Sequence, residues 1–327
     1  MINLKRIAFL APLMVGAGLL LCARQGVGAE IQAPGPDGPL RGTLLSPGPG
    51  TPEHLVLIIP GSGPTDRNGN GAGGLRPDTY RLLAQGLSDN GIASVRIDKR
   101  GMFGSAMAVP DANAVTIDDY AADIATWVRT VRQKTGVQCV WLAGHSEGGL
   151  GALVAMQKPD GICGAILLAT PGRPLSMILR QQVASAPGLA DVSEQANIIL
   201  DELEAGRAVP ADAIPLKLLP LFRPEVQGLL ISELRLDPEK LIADVNKPVL
   251  ILQGRKDLEI SAADARALKR NSTTANLVWL DNANHFLKDV GPVDYSDDWK
   301  VDSDPSIPLD PVVISTISRF IKATGNH

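Results

Sequence analysis

"QCVWLAGHSEGGLGALVAM", residues 138–156, changes character in its middle. Residues 138–144 are a short apolar run, the pattern of a buried strand, and residues 150–156 read as an apolar helix. Between them Gly144, Ser146 and Gly148 form Gly-x-Ser-x-Gly, followed by Gly149. A serine on so tight a strand-to-helix turn crowds its surroundings. The residues two before and two after it must then lack side chains, and Gly149 leaves room where the helix meets the sheet. In a chain with 33 glycines the pattern alone is weak. Its place between a buried strand and a helix makes Ser146 the candidate nucleophile.

The same alternation extends on both sides. Upstream, residues 29–50 read as two short strands with Pro/Gly turns, a hairpin-like opening. "HLVLIIPG" (54–61) and "IASVRIDKRG" (92–101) are further strands, separated by a helix within 77–90 that sets Tyr80, Leu83, Ala84 and Leu87 on one face. Residues 116–134 carry a long apolar stripe behind Thr116 and Asp119, which resemble a capping box. "ICGAILLA" (162–169), "PVLILQG" (248–254) and "NLVWLD" (276–281) are strands, with helices expected near 261–270 and 310–324. Alternating strands and helices argue a mostly parallel central sheet with helices on both faces. Residues 173–246 break the pattern. They hold helical stretches and no convincing strand, so they read as a helical lid inserted into a core of residues 30–172 and 247–327. The chain shows no internal repeat and no low-complexity tract.

Residues 1–29 have the pattern of a secretory leader: Lys5 and Arg6, an apolar run from Ile7 to Cys22, and Val27-Gly28-Ala29 as a cleavage site. Leu21 stands where a lipoprotein leader has a small residue, which disfavours lipidation at Cys22. Removing 29 of 327 residues leaves 298, which suits one large α/β domain or two small ones. The leader carries Lys5, Arg6 and Arg24 and no acid, so its loss takes the net charge from −4 to −7. Such a chain is no obvious partner for nucleic acid, and once cleaved it has no expected membrane insertion. Cys139 and Cys163 remain. Two thiols in strand-like runs are no disulfide framework, and the reading favours two buried small hydrophobes over a bridge.

A serine nucleophile needs a base to accept its proton. Four histidines are present. His145 adjoins Ser146 and points away from it on such a turn; His54 starts an early strand; His327 is the last residue. His285, in the loop after the last strand, remains. The base needs a carboxylate to fix its tautomer, and Asp257 follows the strand at 248–254. Glu259 and Asp281 compete with it, while Thr170-Pro171-Gly172 offers no acid after the preceding strand.

"PGSGPTDRNGNG" (60–71) begins like a calcium loop from Asp66, but the twelfth position, which needs a bidentate glutamate, is Pro77. No Gly-Lys-[Ser/Thr] opens a helix here, so it is no P-loop either. The loop suits an oxyanion site. We assign the N–H groups of Ser62 and Glu147 as donors, with Gly61 as the alternative to Ser62, and Gly61 and Gly63 as points of close substrate approach.

"IIPGSGPTDRNGN" (58–70), "RIDKRGMFGS" (96–105), "GHSEGG" (144–149), "QGRKDLEIS" (253–261) and "NHFLK" (284–288) together resemble secreted or periplasmic serine carboxylesterases of the α/β-hydrolase superfamily, over about residues 30–325. This group includes lysophospholipase-like and serine-aminopeptidase-like members. The resemblance implies an α/β-hydrolase fold, a Ser146/His285/Asp257 triad, a small ester as substrate, and no cofactor or metal. Asn68 and Phe103 depart from the pattern at positions that bear no catalysis. Asp66 and Arg67 either touch substrate or staple their loop; Lys288 reads as a surface residue, the lid leucines as packed core, and residues 294–304 as a solvated acidic loop. The expectation is a short-acyl esterase. A peptidase or amidase is the rival, with Glu202, Glu204, Glu225 or Glu233 as anchor for a free amine, and a non-catalytic binding protein stands further off. Few aromatic residues (4%) weakly disfavour substrates held by stacking.

Overall fold

The computed structural model describes residues 28–291, 302 and 304–324. The leader and most of the acidic loop at 294–304 lie outside them. Eight strands form one sheet: β1 (Ala29–Ala33), β2 (Leu40–Leu45), β3 (Leu55–Ile59), β4 (Ala93–Ile97), β5 (Val140–His145), β6 (Ile162–Leu168), β7 (Val249–Gly254) and β8 (Ala275–Leu280). Their order is β1-β2-β4-β3-β5-β6-β7-β8. The first two strands form an antiparallel hairpin, and β2 also runs antiparallel to β4; all other pairs are parallel. A parallel sheet needs both faces covered. The helices α1 (Thr79–Asp89), α2 (Ile117–Thr135) and α3 (Glu147–Ala155) follow the first strands, and α9 (Ala262–Arg270) and α10 (Pro311–Thr324) the last. Trp127, Val128 and Val131 of α2 pack on one face with Leu57, Val95 and Leu142. Leu83 and Leu87 of α1 and Ile317 and Ile321 of α10 pack on the other with Val56, Trp141 and Leu250.

Local signals explain the boundaries. Thr116 and Asp119 form the capping box at the start of α2, and Gly136 closes it at φ 79°, where a residue with a Cβ is strained. Ser261 and Asp264 cap α9 in the same way. Between β6 and β7 the described chain is helical: α4 (Leu175–Ser185), α5 (Ser193–Glu204), α6 (Leu219–Phe222), α7 (Pro224–Leu234) and α8 (Pro238–Ala243). Pro220 and Pro224 sit in the first turns of α6 and α7, where a missing N–H costs nothing. The segment has its own core of Leu200, Leu203, Leu218, Phe222 and Leu234, so most of its leucines are packed as expected, while Leu216 is exposed.

The structure corrects two sequence readings. Cys139 and Cys163 are joined in a disulfide with Cα atoms 5.2 Å apart. The sequence does not show that β5 and β6 are neighbours whose register shifts at Val140/Trp141, which sets the two thiols side by side. Lys288 is fully buried, not on the surface. Its loop folds back through bridges from Ala283 to Asp289 and from Lys288 to Leu309, and its ammonium donates to the Ile307 carbonyl at 2.6 Å. Burial pulls the Lys288 pKa down to about 8.

Candidate active site

Ser146 stands between β5 and α3 with φ 52° and ψ −123°, a conformation that L residues avoid. Its surroundings explain the glycines. A Cβ on Gly144 would lie 2.3 Å from the Gly148 carbonyl oxygen; one on Gly148 would lie 2.5 Å from the Ile59 and Pro60 oxygens; one on Gly149 would lie 2.0 Å from Thr170 Oγ1. The strain is held by the Ser146 N–H, which donates to the Leu168 carbonyl on β6 at 2.9 Å.

His285 Nδ1 lies 3.0 and 3.1 Å from the two oxygens of Asp257. A carboxylate only accepts, so Nδ1 carries the proton and Nε2 is left to act as a base. Asp257 is fixed from behind. It accepts from the Glu259 N–H at 2.9 Å, the Ile260 N–H at 2.8 Å and Gln253 Nε2 at 3.0 Å. Burial would raise its pKa, but the His285 charge and these hydrogen bonds outweigh it and hold the carboxyl below the usual range. For His285, burial would lower the pKa; the Asp257 and Glu259 carboxylates outweigh it and raise it to about 9. Among the described residues, the Ser146 hydroxyl makes no hydrogen bond to His285; Nε2 lies 3.5 Å from Glu259 Oε2. Asp281, the other competitor, pairs with Arg255 at the surface.

Two buried networks flank this pair. His145 is buried among apolar groups, which lowers its pKa to about 3 and keeps it neutral. Its Nε2 lies 2.9 Å from the His285 carbonyl oxygen and so donates to it. Its Nδ1 must then accept from the Tyr80 hydroxyl at 2.9 Å. Tyr80 Oη in turn accepts from the Gly61 N–H at 2.9 Å. That occupies the amide that stood as an alternative oxyanion donor. The Ser62 and Glu147 amides have no protein acceptor among the described residues. A Cβ on Gly61 would lie 3.2 Å from His145 Nδ1 and 3.3 Å from the Ser146 Cβ, a tight fit. Gly63 has φ 70° and open space beside it.

The second network lies beneath. Lys99 Nζ, buried, donates to the Gly61 carbonyl at 2.7 Å and to Glu147 Oε1 at 2.8 Å, and sits 5.0 Å from the centre of the Tyr120 ring. Glu233 of α7 closes it. Burial first, then the Glu147 charge, push the Glu233 carboxyl well above its usual range. A cavity of about 20 Å³ lined by Lys99, Tyr120 and Glu147 has room for about one water, not an acyl group.

The sequence model of the alpha/beta hydrolase family matches residues 55–290. The chain belongs to the alpha/beta hydrolase family. This hydrolase is 27% identical over 220 residues to the 2-(acetamidomethylene)succinate hydrolase of Mesorhizobium japonicum, covering 63% of the chain and 76% of that protein. Solved structures with a similar fold include the proline iminopeptidase of Mycobacterium smegmatis, with TM-score 0.59 and 16% identity over 91% of this chain and 99% of that one. The esterase Est1E of Butyrivibrio proteoclasticus gives a TM-score of 0.56 and 17% identity over 90% and 98% of the two chains. At these identities the likeness is one of fold.

Other residues singled out in the hydrolase's sequence hold structure. Asp66 Oδ1 accepts from the Asn68 and Asn70 amides, at 2.7 and 2.9 Å. Arg67 forks onto Asp98 and reaches Glu30. The Asn68 side chain accepts from Arg96. These contacts staple the loop, and among the described residues no group of three or more His, Cys, Asp or Glu is placed to hold a metal. Glu202, Glu204 and Glu225 pair with arginines at the surface. Sequence reasoning missed Tyr80, read as part of an apolar stripe, and Lys99. The signal for Lys99 was the run Asp98-Lys99-Arg100 directly after a buried strand: buried charges need partners.

Proposed function

We propose that this hydrolase is a serine carboxylesterase. The observation that carries the reading is the Asp257–His285 pair together with a strained Ser146, with two amides at Ser62 and Glu147 that have no protein acceptor among the described residues. Ser146 Oγ attacks the ester carbonyl as His285 Nε2 takes its proton. The oxyanion forms between the Ser62 and Glu147 N–H groups. His285 then protonates the departing alcohol, and Asp257 stabilises the imidazolium in between. Water, deprotonated by the same nitrogen, releases the acid from the acyl-enzyme.

The exopeptidase reading needs a free acidic anchor in the inserted helices. Three of its candidates are spent on surface arginines, and Glu233 is buried. Ester hydrolysis with short acyl groups is therefore the favoured reading, and the inserted helices are its lid. The disulfide supports an oxidising compartment, in keeping with a secretory leader cleaved after Ala29. Ser146→Ala should lower turnover of p-nitrophenyl acetate by about 10⁶, as for other triads. A chain-length series of such esters, run beside aminoacyl-anilides, reads the acyl limit; faster anilide cleavage would overturn the ester preference.

A further inference from the structure

Glu259 is held against the proposed catalytic base. Its N–H donates to Asp257 Oδ1 at 2.9 Å, and its carbonyl accepts from Gln182 Nε2 of α4 at 2.9 Å. The backbone is thus clamped between the Asp257 turn and the inserted helices. Its carboxylate lies 3.5 Å from His285 Nε2, with 55% of the side chain exposed, and no other group pairs with it among the described residues. Asp257, Glu259 and Asp302 are the charges that act most strongly on His285, and all three are negative.

His285 Nε2 must turn to Ser146 and then to the leaving oxygen. A carboxylate 3.5 Å from that nitrogen therefore stands on the leaving-group side of the acyl carbon. Once Nε2 is engaged in the reaction, Glu259 loses its partner and faces the departing alcohol. We propose that Glu259 is a specificity residue, by which the site selects esters whose alcohol carries a positive charge and disfavours those whose alcohol carries a carboxylate. The inference rests on the esterase reading above. It also sets this hydrolase apart from its Mesorhizobium relative, whose named substrate is a dicarboxylate.

The test compares acetylcholine with its uncharged isostere, 3,3-dimethylbutyl acetate, and with an acetyl ester of a hydroxy acid. The readout is the ratio of kcat/KM values, which cancels any loss of rate common to all three. A carboxylate about 6 Å from an ammonium in a half-exposed site is worth about tenfold, or about 1.4 kcal/mol. The wild type should prefer the choline ester over the isostere by about that factor at low salt, and less at high salt. Glu259→Gln should bring the ratio near one, and Glu259→Lys should invert it in favour of the carboxylated ester. A wild type without charge preference, or a preference that survives Glu259→Gln, overturns the proposal. Neither result touches the esterase reading, which is tested separately by Ser146→Ala on the neutral ester and by the comparison with anilides.

Discussion

Replacing Lys99 by Met asks whether the proposed oxyanion donors are held from behind. The Gly61 carbonyl, 2.7 Å from Lys99 Nζ, and the Ser62 N–H are two ends of one peptide unit. The cation therefore fixes the plane of the proposed donor and strengthens its dipole. Through Glu147 Oε1, at 2.8 Å, it also grips the residue that supplies the second donor. Methionine keeps most of the apolar stem and removes the charge. Breaking a buried pair costs about 3–5 kcal/mol. The lower end applies, because Glu147 sits in the first turn of α3, where the helix N-terminus favours a negative charge. Unfolding entropy of about 2.1 cal/mol/K per residue gives about 0.6 kcal/mol/K for a chain of roughly 290 ordered residues, so Tm should fall by about 5 °C. Removing an oxyanion donor outright costs about 10²–10³ in kcat. Here the donor is loosened rather than lost, so kcat should fall by about 10- to 100-fold. KM should change little, because the interaction exists only with the charge that develops in the transition state. Scanning fluorimetry reads the first effect. Hydrolysis of p-nitrophenyl acetate at 25 °C, well below Tm, reads the second. A variant with the lowered Tm and a kcat within about twofold of wild type would show that Lys99 holds only the fold, and the alignment argument would be wrong.

Three further outcomes are expected. With the His285 pKa raised to about 9, kcat/KM should climb with pH until about 9, since only neutral imidazole accepts the proton; a profile already flat at pH 7 contradicts this. The same shift contributes stability in full below 6.5 and loses it as pH passes about 9, so Tm should fall over the range in which activity rises. Tyr80→Phe leaves the Gly61 amide and His145 Nδ1 without their buried partner, so Tm should drop by about 3–6 °C; an unchanged Tm would mean that water replaces the hydroxyl. The disulfide closes a loop with a sequence separation of 24, worth about 3.5 kcal/mol by loop entropy, so Cys139→Ala with Cys163→Ala should lower Tm by about 6 °C; equal Tm values with and without the bridge would refute that account.

The fold was readable because its signals are local and periodic. Apolar runs of strand length alternate with amphipathic stripes, and the cap at Thr116/Asp119 forms as the spacing predicts. The glycines around Ser146 were readable for a stronger reason. Each is required by a backbone atom or side chain that the turn itself brings close, so the motif carries its own geometry. His285 followed from elimination among four histidines, and Asp257 from its place just after the strand at 248–254. The disulfide was not readable, because it depends on the lateral order of β5 and β6 and on a register shift between them.

What stayed hidden is the choice of partners for buried charges. After β4 the run Asp98-Lys99-Arg100 could be seen to need counter-charges, since such groups are not buried alone. Yet each side chain leaves in its own direction. Asp98 meets Arg67, 31 residues away; Lys99 meets Glu147, 48 away; Arg100 meets Asp123, 23 away. No spacing rule links those distances, because they are set by which loops the sheet brings to its carboxyl edge. The consequence is chemical as well as structural. Of three adjacent charges, only Lys99 reaches the peptide that carries the Ser62 amide, while Asp98 and Arg100 tie down the loop and helix on either side. A neutral residue at position 99 would leave those other ties in place. The proposed oxyanion loop would then keep its position while the peptide that carries its proposed donor lost its hold.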